Sequence, residues 1–270
     1  MTAPLKLRDD APAPDEVDLA RAPLLSHLLE FRRRLLLVLA FFVLTSAASY
    51  LAAEELFGFL TAPLREAYGA DATRRMIFTG LHEAFVTYLK LALFAGLFAS
   101  LPLALNQLWK FLAPGLYGHE RASLRPLFVM TPLMFVAGAG LAYFVVLPLA
   151  WQFFLSFETP GAAAGMAIAL EARVGEYLGL VMSMLIAFGL SFELPVLLLL
   201  LARLGVVDAD DLVRYRRHAI VLIFAAAAVL TPPDFLSQIA LGTPMLLLYE
   251  LAIRLVRAQE RAAAAAREYV

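Results

Sequence analysis

The stretch Gly175–Ala202, GEYLGLVMSMLIAFGLSFELPVLLLLLA, is 28 residues long and carries only two charges, Glu176 near its start and Glu193 well inside. As an α-helix it extends about 42 Å at ~1.5 Å per residue, more than the ~30 Å hydrocarbon core of a bilayer. No strand or soluble amphipathic helix explains so long an apolar run. Five further stretches read the same way, at Leu35–Ala53, Phe85–Leu105, Pro126–Phe154, His218–Leu230 and Phe235–Ile253. The fifth in chain order, His218–Leu230, has 13 residues and covers only about 20 Å. In the sixth, the purely apolar part runs from Ile239 to Tyr249. These last two either form one re-entrant hairpin or both cross a locally thinned bilayer.

Composition supports this reading. The chain of 270 residues is 62% hydrophobic and 17% charged, with a mean hydropathy of +0.78. Soluble domains sit near 45–50% apolar and about 25% charged. Disorder of the bulk of the chain is excluded, and a net charge of −1 supplies no basic field for nucleic acid. The absence of cysteine removes disulfides, thiol catalysis and thiolate metal sites. The expected class is an all-α, polytopic membrane protein.

Basic residues orient it. With six crossings, Lys and Arg number six before the first span, three between the second and third, four between the fourth and fifth, and four after the sixth. The other side holds Arg65, Arg74, Arg75 and Arg173, and Lys90 lies inside the second span. The bias places both termini in the cytoplasm. Residues 1–23, with four prolines and five acids, read as a disordered cytoplasmic tail; 24–257 as the membrane domain; 258–270 as a charged, helical cytoplasmic tail. The first span is too long for the apolar region of a signal peptide, and five more spans follow it.

Catalytic chemistry is missing. There is no Gly-x-x-x-x-Gly-Lys-Ser/Thr loop, and His27, His82, His119 and His218 show no metal-ligand spacing. Ser183 and Ser191 have no histidine at their depth to act as a base. No enzyme activity, cofactor or metal is expected. The glycines of Ala137-Gly138-Ala139-Gly140 are read as a close-packing surface.

The informative residues are polar ones in costly or clustered positions. In His27-Leu28-Leu29-Glu30-Phe31-Arg32-Arg33-Arg34-Leu35, Glu30 and Arg34 are i and i+4, the spacing of a local ion pair. The loop Phe111-Leu112-Ala113-Pro114-Gly115-Leu116-Tyr117-Gly118-His119-Glu120 combines a Pro-Gly turn, interfacial aromatics and an acid near a helix start. Two carboxylates beside aromatic surface also suit two guanidinium groups. In Phe192-Glu193-Leu194-Pro195, an acid at membrane depth meets a proline that breaks the hydrogen-bond ladder; such an acid faces protein or a watery cavity. Thr231-Pro232-Pro233-Asp234-Phe235-Leu236-Ser237-Gln238 joins the last two spans; Asp234 and Ser237 suit a helix cap, and Gln238 an interhelical hydrogen bond.

Together these four segments resemble the TatC family, the polytopic core of the twin-arginine protein translocase, from about Leu25 to Arg257. The resemblance implies a concave fold of six transmembrane helices in the cytoplasmic (inner) membrane, the fifth and sixth short, with both termini cytoplasmic. It implies a receptor that binds twin-arginine signal peptides and exports folded proteins with energy from the proton gradient. Glu30 and Glu120 would then bind the two arginines, with His27, Arg32, Phe111 and Tyr117 shaping the site around the Pro114-Gly115 turn. Glu193, beside Pro195, would lie in the intramembrane concavity. Thr231 and Gln238, flanking Asp234, would mark the docking site of single-span partner subunits of the TatA and TatB type in a hetero-oligomer. The competing reading is a proton-coupled transporter of a small solute, with Glu193 and Lys90 on its path.

Overall fold

The computed structural model describes residues 16–69, 74–112, 118–159, 167–230 and 235–268. Among these, every regular element is helical apart from two isolated bridges in the loops. The order is α1 (Glu16–Leu51), α2 (Ala53–Tyr68), α3 (Glu83–Leu112), α4 (Gly118–Leu141), a π-helical turn (Ala142–Val146), α5 (Leu147–Leu155), α6 (Val174–Phe192), α7 (Leu194–Arg203), α8 (Ala209–Arg214), α9 (Arg216–Leu230) and α10 (Phe235–Glu268). Five segments are long and apolar enough to cross a membrane: Ser26–Leu51, Glu83–Leu108, Met130–Leu155, Val174–Arg203 and Ser237–Ala262. They coincide with five of the six expected spans to within a turn or two, apart from the two ends of the chain. The remaining expected span, in α9, has 15 residues, or about 22 Å.

Two expectations change. Helix α1 begins at Glu16, so residues 16–23, expected in a disordered tail, are its first turns; residues 1–15 lie outside the described residues. The last span is not short: α10 runs unbroken for 34 residues, because the Ala-, Arg- and Glu-rich stretch after Ile253 consists of strong helix formers. The helix expected of residues 258–270 is thus continuous with the last span.

Proline explains the interruptions. Pro148 has no N–H and crowds the carbonyl four residues back, and the ladder before it widens into the π turn, with Leu147 N–H reaching the carbonyl of Ala142. Pro195 interrupts the next span too, as its sequence predicts, but there the last turn tightens: the helix breaks at Glu193, whose N–H donates to Leu190 O at 3.1 Å. Pro63 lies inside α2, leaving the carbonyl of Phe59 without its amide partner. The Tyr143 hydroxyl donates to that carbonyl at 2.6 Å, and Tyr177 donates to Leu60 O at 2.8 Å, so two tyrosines pin α2 across the bundle.

Helix α6 is the centre of the core, with Leu178, Val181 and Phe188 fully buried against Leu91 of α3 and Leu147 of α5. A Cβ at Gly138 of α4 would collide with the Phe188 carbonyl, which accounts for one glycine of the small-residue run. Helix α1 is peripheral: only 6% of its span is buried, against 50% for Val174–Arg203. It packs on α3, where Gly96 lets Ser46 approach and Thr45 Oγ1 donates to Gly96 O at 3.0 Å.

Candidate functional site

On α1, residues 27, 30, 31 and 34 follow the i, i+3, i+4, i+7 spacing of one helix face. That face meets the C-terminal end of α3. His27 stacks on Phe111 with ring centroids 4.2 Å apart and planes at 22°, and Phe31 tilts onto the same ring at 5.3 Å. One turn along, Arg34 Nη1 reaches Gln107 Oε1 at 3.5 Å. Glu30, Arg33, Arg34, Leu37 and Gln107 line a cleft of about 230 Å³.

The electrostatics of this cleft are uneven. Arg34 donates through Nε at 3.2 Å and through Nη2, and both contacts go to Glu30 Oε1. Among the described residues Oε2 of Glu30 has no hydrogen-bond partner, while the side chain is 36% exposed. The i, i+4 pair read from the sequence is therefore real, yet it engages only half of the carboxylate. Exposed pairs of this kind contribute a few tenths of a kcal/mol, so its main effect is to hold the carboxylate in place.

Arg32 is placed differently from its neighbours. It is exposed and does not line the cleft; Arg33 and Arg34 do. The helix turns about 100° per residue, and the cluster of three arginines did not reveal which of them faces α3. Gln107 was missed as well, although an amide near the end of an apolar span, four residues before Phe111, was a usable signal.

Pro114, Gly115 and Tyr117 lie outside the described residues, as do Thr231 and Asp234. Glu120 is the third residue of α4, but its side chain is outside the description. Helix α4 starts six Cα steps after Leu112, which limits its first residue to about 22 Å from the end of α3. Gln238 is half-buried and donates from Nε2 to the Phe224 carbonyl of α9 at 3.2 Å, the interhelical bond expected of it.

Glu193 stands at the α6–α7 break, partly buried beside the Thr131 hydroxyl and the backbone of Phe135. Its Oε1 is sealed from solvent without a partner. Lys90 is exposed on α3, whereas the cleft between α3, α4 and α6 is lined by apolar groups such as Leu91, Phe98 and Leu185. That lining gives no support to a polar path from Lys90 to Glu193.

A second constellation, at the other end of the bundle, had no counterpart in the sequence reading. Glu83 accepts backbone N–H bonds from Thr79 at 2.9 Å, Gly80 at 3.1 Å and Gly175 at 3.1 Å, tying the turn that leads into α3 to the first turn of α6. Ile77 pairs with the strand-like segment at Arg173, donating to Ala172 O and accepting from Val174 N–H. Arg74 grips Glu158 with two parallel bonds of 2.8 and 2.7 Å, and Glu158 also accepts from Leu170 N–H. These charges tie the two long loops together.

The fold defines a polytopic helical membrane protein. The sequence model of the family described as Sec-independent protein translocase protein (TatC) matches residues 26–244. The TatC protein of Magnetococcus marinus is 45% identical over 89% of this chain and 86% of its own length, and that of Escherichia coli is 38% identical over 86% of each. A crystal structure of the twin-arginine translocase receptor TatC superposes with a TM-score of 0.71 at 33% identity, covering 85% of this chain and 99% of that one. The chain belongs to the TatC family. It is a subunit of the twin-arginine protein-export machinery and not a catalytic enzyme.

Proposed function

We propose that the cleft between α1 and α3 is where the chain receives the arginine pair of a signal peptide. The observation that carries this is the half-used carboxylate: Arg34 holds Glu30, a residue lining the cleft, through Oε1, and among the described residues Oε2 has no hydrogen-bond partner. A guanidinium can take that oxygen without breaking the existing pair, and guanidinium–carboxylate bonds are directional as well as charged. His27 and Phe111 supply a stacked apolar wall beside it. Glu120, in the first turn of α4, is the acid for the second arginine, and Tyr117 belongs to the same site.

The wider reading follows from the same assignment. The chain sits in the cytoplasmic membrane with six crossings, α9 being the shortest, and with both termini and the Glu30 cleft on the cytoplasmic side; the seventeen-to-four bias of basic residues supports this orientation. Single-span partner subunits dock near Thr231 and Gln238, Glu193 meets a polar group of a partner or cargo within the concavity, and the proton gradient drives export of folded cargo. A helix of about 22 Å thins the bilayer where partners assemble.

Two experiments test this. Photo-crosslinking of a peptide bearing Ser-Arg-Arg-x-Phe-Leu is expected to fall sharply in Glu30→Gln and in Glu120→Gln, to the level that a Lys-Lys peptide gives with the unmodified protein. Full crosslinking in both variants would make the carboxylates purely structural. Lengthening α9 by five leucines is expected to stop transport and leave peptide crosslinking intact; normal transport would refute the thinning role.

A further inference from the structure

Three of the four basic residues on the minority side of the charge bias gather in one place. Arg65, Arg74 and Arg75 line a pocket of about 180 Å³ at the C-terminal end of α2, together with Tyr68. Positive charge is disfavoured on that side of a membrane protein, so a cluster there calls for a counter-charge. Arg74 has one: it is held by Glu158 and lies over the Tyr68 ring, 4.7 Å from the centroid. Arg65 and Arg75 do not; both are exposed, and among the described residues neither forms an ion pair. Glu66 neighbours Arg65 in sequence but lies about 100° around the helix and does not line the pocket.

The same helix is apolar further back. Leu56, Phe59 and Leu60 of α2, with Leu91, Phe94 and Phe98 of α3, line a groove of about 440 Å³ whose walls are almost wholly hydrocarbon. Helix α2 thus carries an apolar groove along its first half and a basic pocket at its end. Its charges Glu54, Glu55, Arg65 and Glu66 are exposed, while Leu60 and Leu64 are buried in the bundle core.

We propose that this pocket is a binding site for an anionic glycerophospholipid. Arg65 and Arg75 hold the phosphate, Arg74 is fixed in place behind them by Glu158, and an acyl chain occupies the groove along α2. Phosphate accepts two guanidinium groups with good geometry, and a basic pocket edged by apolar surface is the form that headgroup sites take. Nothing in this assignment depends on the receptor cleft at the opposite end of the bundle.

The test uses the full chain in phosphatidylcholine nanodiscs, titrated with phosphatidylglycerol. The unmodified protein is expected to bind phosphatidylglycerol selectively and gain melting temperature from it. Arg65→Gln/Arg75→Gln is expected to bind about thirtyfold more weakly, the loss of two cationic contacts at a membrane surface. The control Arg254→Gln/Arg261→Gln, which removes two exposed charges from α10, is expected to bind as the unmodified protein does. Should the glutamine pair fold poorly, Arg65→Lys/Arg75→Lys keeps the charge but loses the forked geometry and is expected to bind with intermediate strength. Equal losses in both glutamine pairs, or no loss in either, would overturn the proposal. So would inorganic phosphate displacing the lipid at equal concentration, because the site would then recognise a soluble anion. Binding of the twin-arginine peptide is expected to be unchanged in every variant.

Discussion

The two ends of the bundle use carboxylates in opposite ways. At the end closed by the long loops, Glu83 accepts three backbone N–H bonds, and Glu158 accepts two guanidinium bonds and a backbone N–H. At the other end Glu30, among the described residues, is bonded through one oxygen only, by a neighbour on its own helix, and more than a third of its side chain meets solvent. A carboxylate with several fixed donors is part of the scaffold; under the proposed function, one held in place with an oxygen to spare is available to a guanidinium. The surroundings follow the same division, since α1 is almost unburied whereas the helices closed by Glu83 include α6, the centre of the core.

This contrast breaks if substitutions at the two ends have the same kind of effect. The largest expected separation is between Glu30→Gln and Glu83→Gln. Glu30→Gln should weaken twin-arginine peptide binding by roughly thirtyfold, within the range of a charged hydrogen bond, and leave the melting temperature nearly unchanged. Glu83→Gln should lower the melting temperature by several degrees and leave the affinity of the folded protein unchanged. Thermal scanning and peptide titration of both variants decide it. Next in size is Tyr143→Phe, which strands the Phe59 carbonyl that Pro63 leaves open and should cost about 1 kcal/mol of stability by denaturant titration, again without altering peptide binding. The smallest effect sharpens the description of the cleft itself. Arg32→Gln should change peptide affinity by less than about threefold, as for an exposed charge outside the cleft. A loss as large as that of Glu30→Gln would show that Arg32 turns into the site when a peptide binds.

Much of this was legible in the chain itself, because bilayer solvation imposes long apolar runs and proline breaks them. The helix break at Glu193 followed from Pro195, and the Glu30–Arg34 pair from its spacing. Helix α2 was not legible. Pro63 interrupts it, and four charges lower its hydropathy, so neither an apolar run nor a clean helical signal survives. The loop network escaped for another reason: Glu83 meets Gly175, and Arg74 meets Glu158, across 92 and 84 residues, and no local pattern encodes such partners. The helical character of the tail after Ile253 was legible from its helix formers, but its continuity with the last span was not, because hydropathy does not measure propensity. At the cleft, which of the three arginines lines the pocket was not legible, because facing direction is settled by the contact with α3.

The most direct measurement is a double-mutant cycle between Glu30→Gln and replacement of each signal-peptide arginine by glutamine, read as peptide affinity. If the spare oxygen of Glu30 receives one of those guanidiniums, one arginine should show a coupling of at least about 1.5 kcal/mol and the other a much smaller one. Additive losses for both arginines would contradict the account, because Glu30 would then act without touching the peptide.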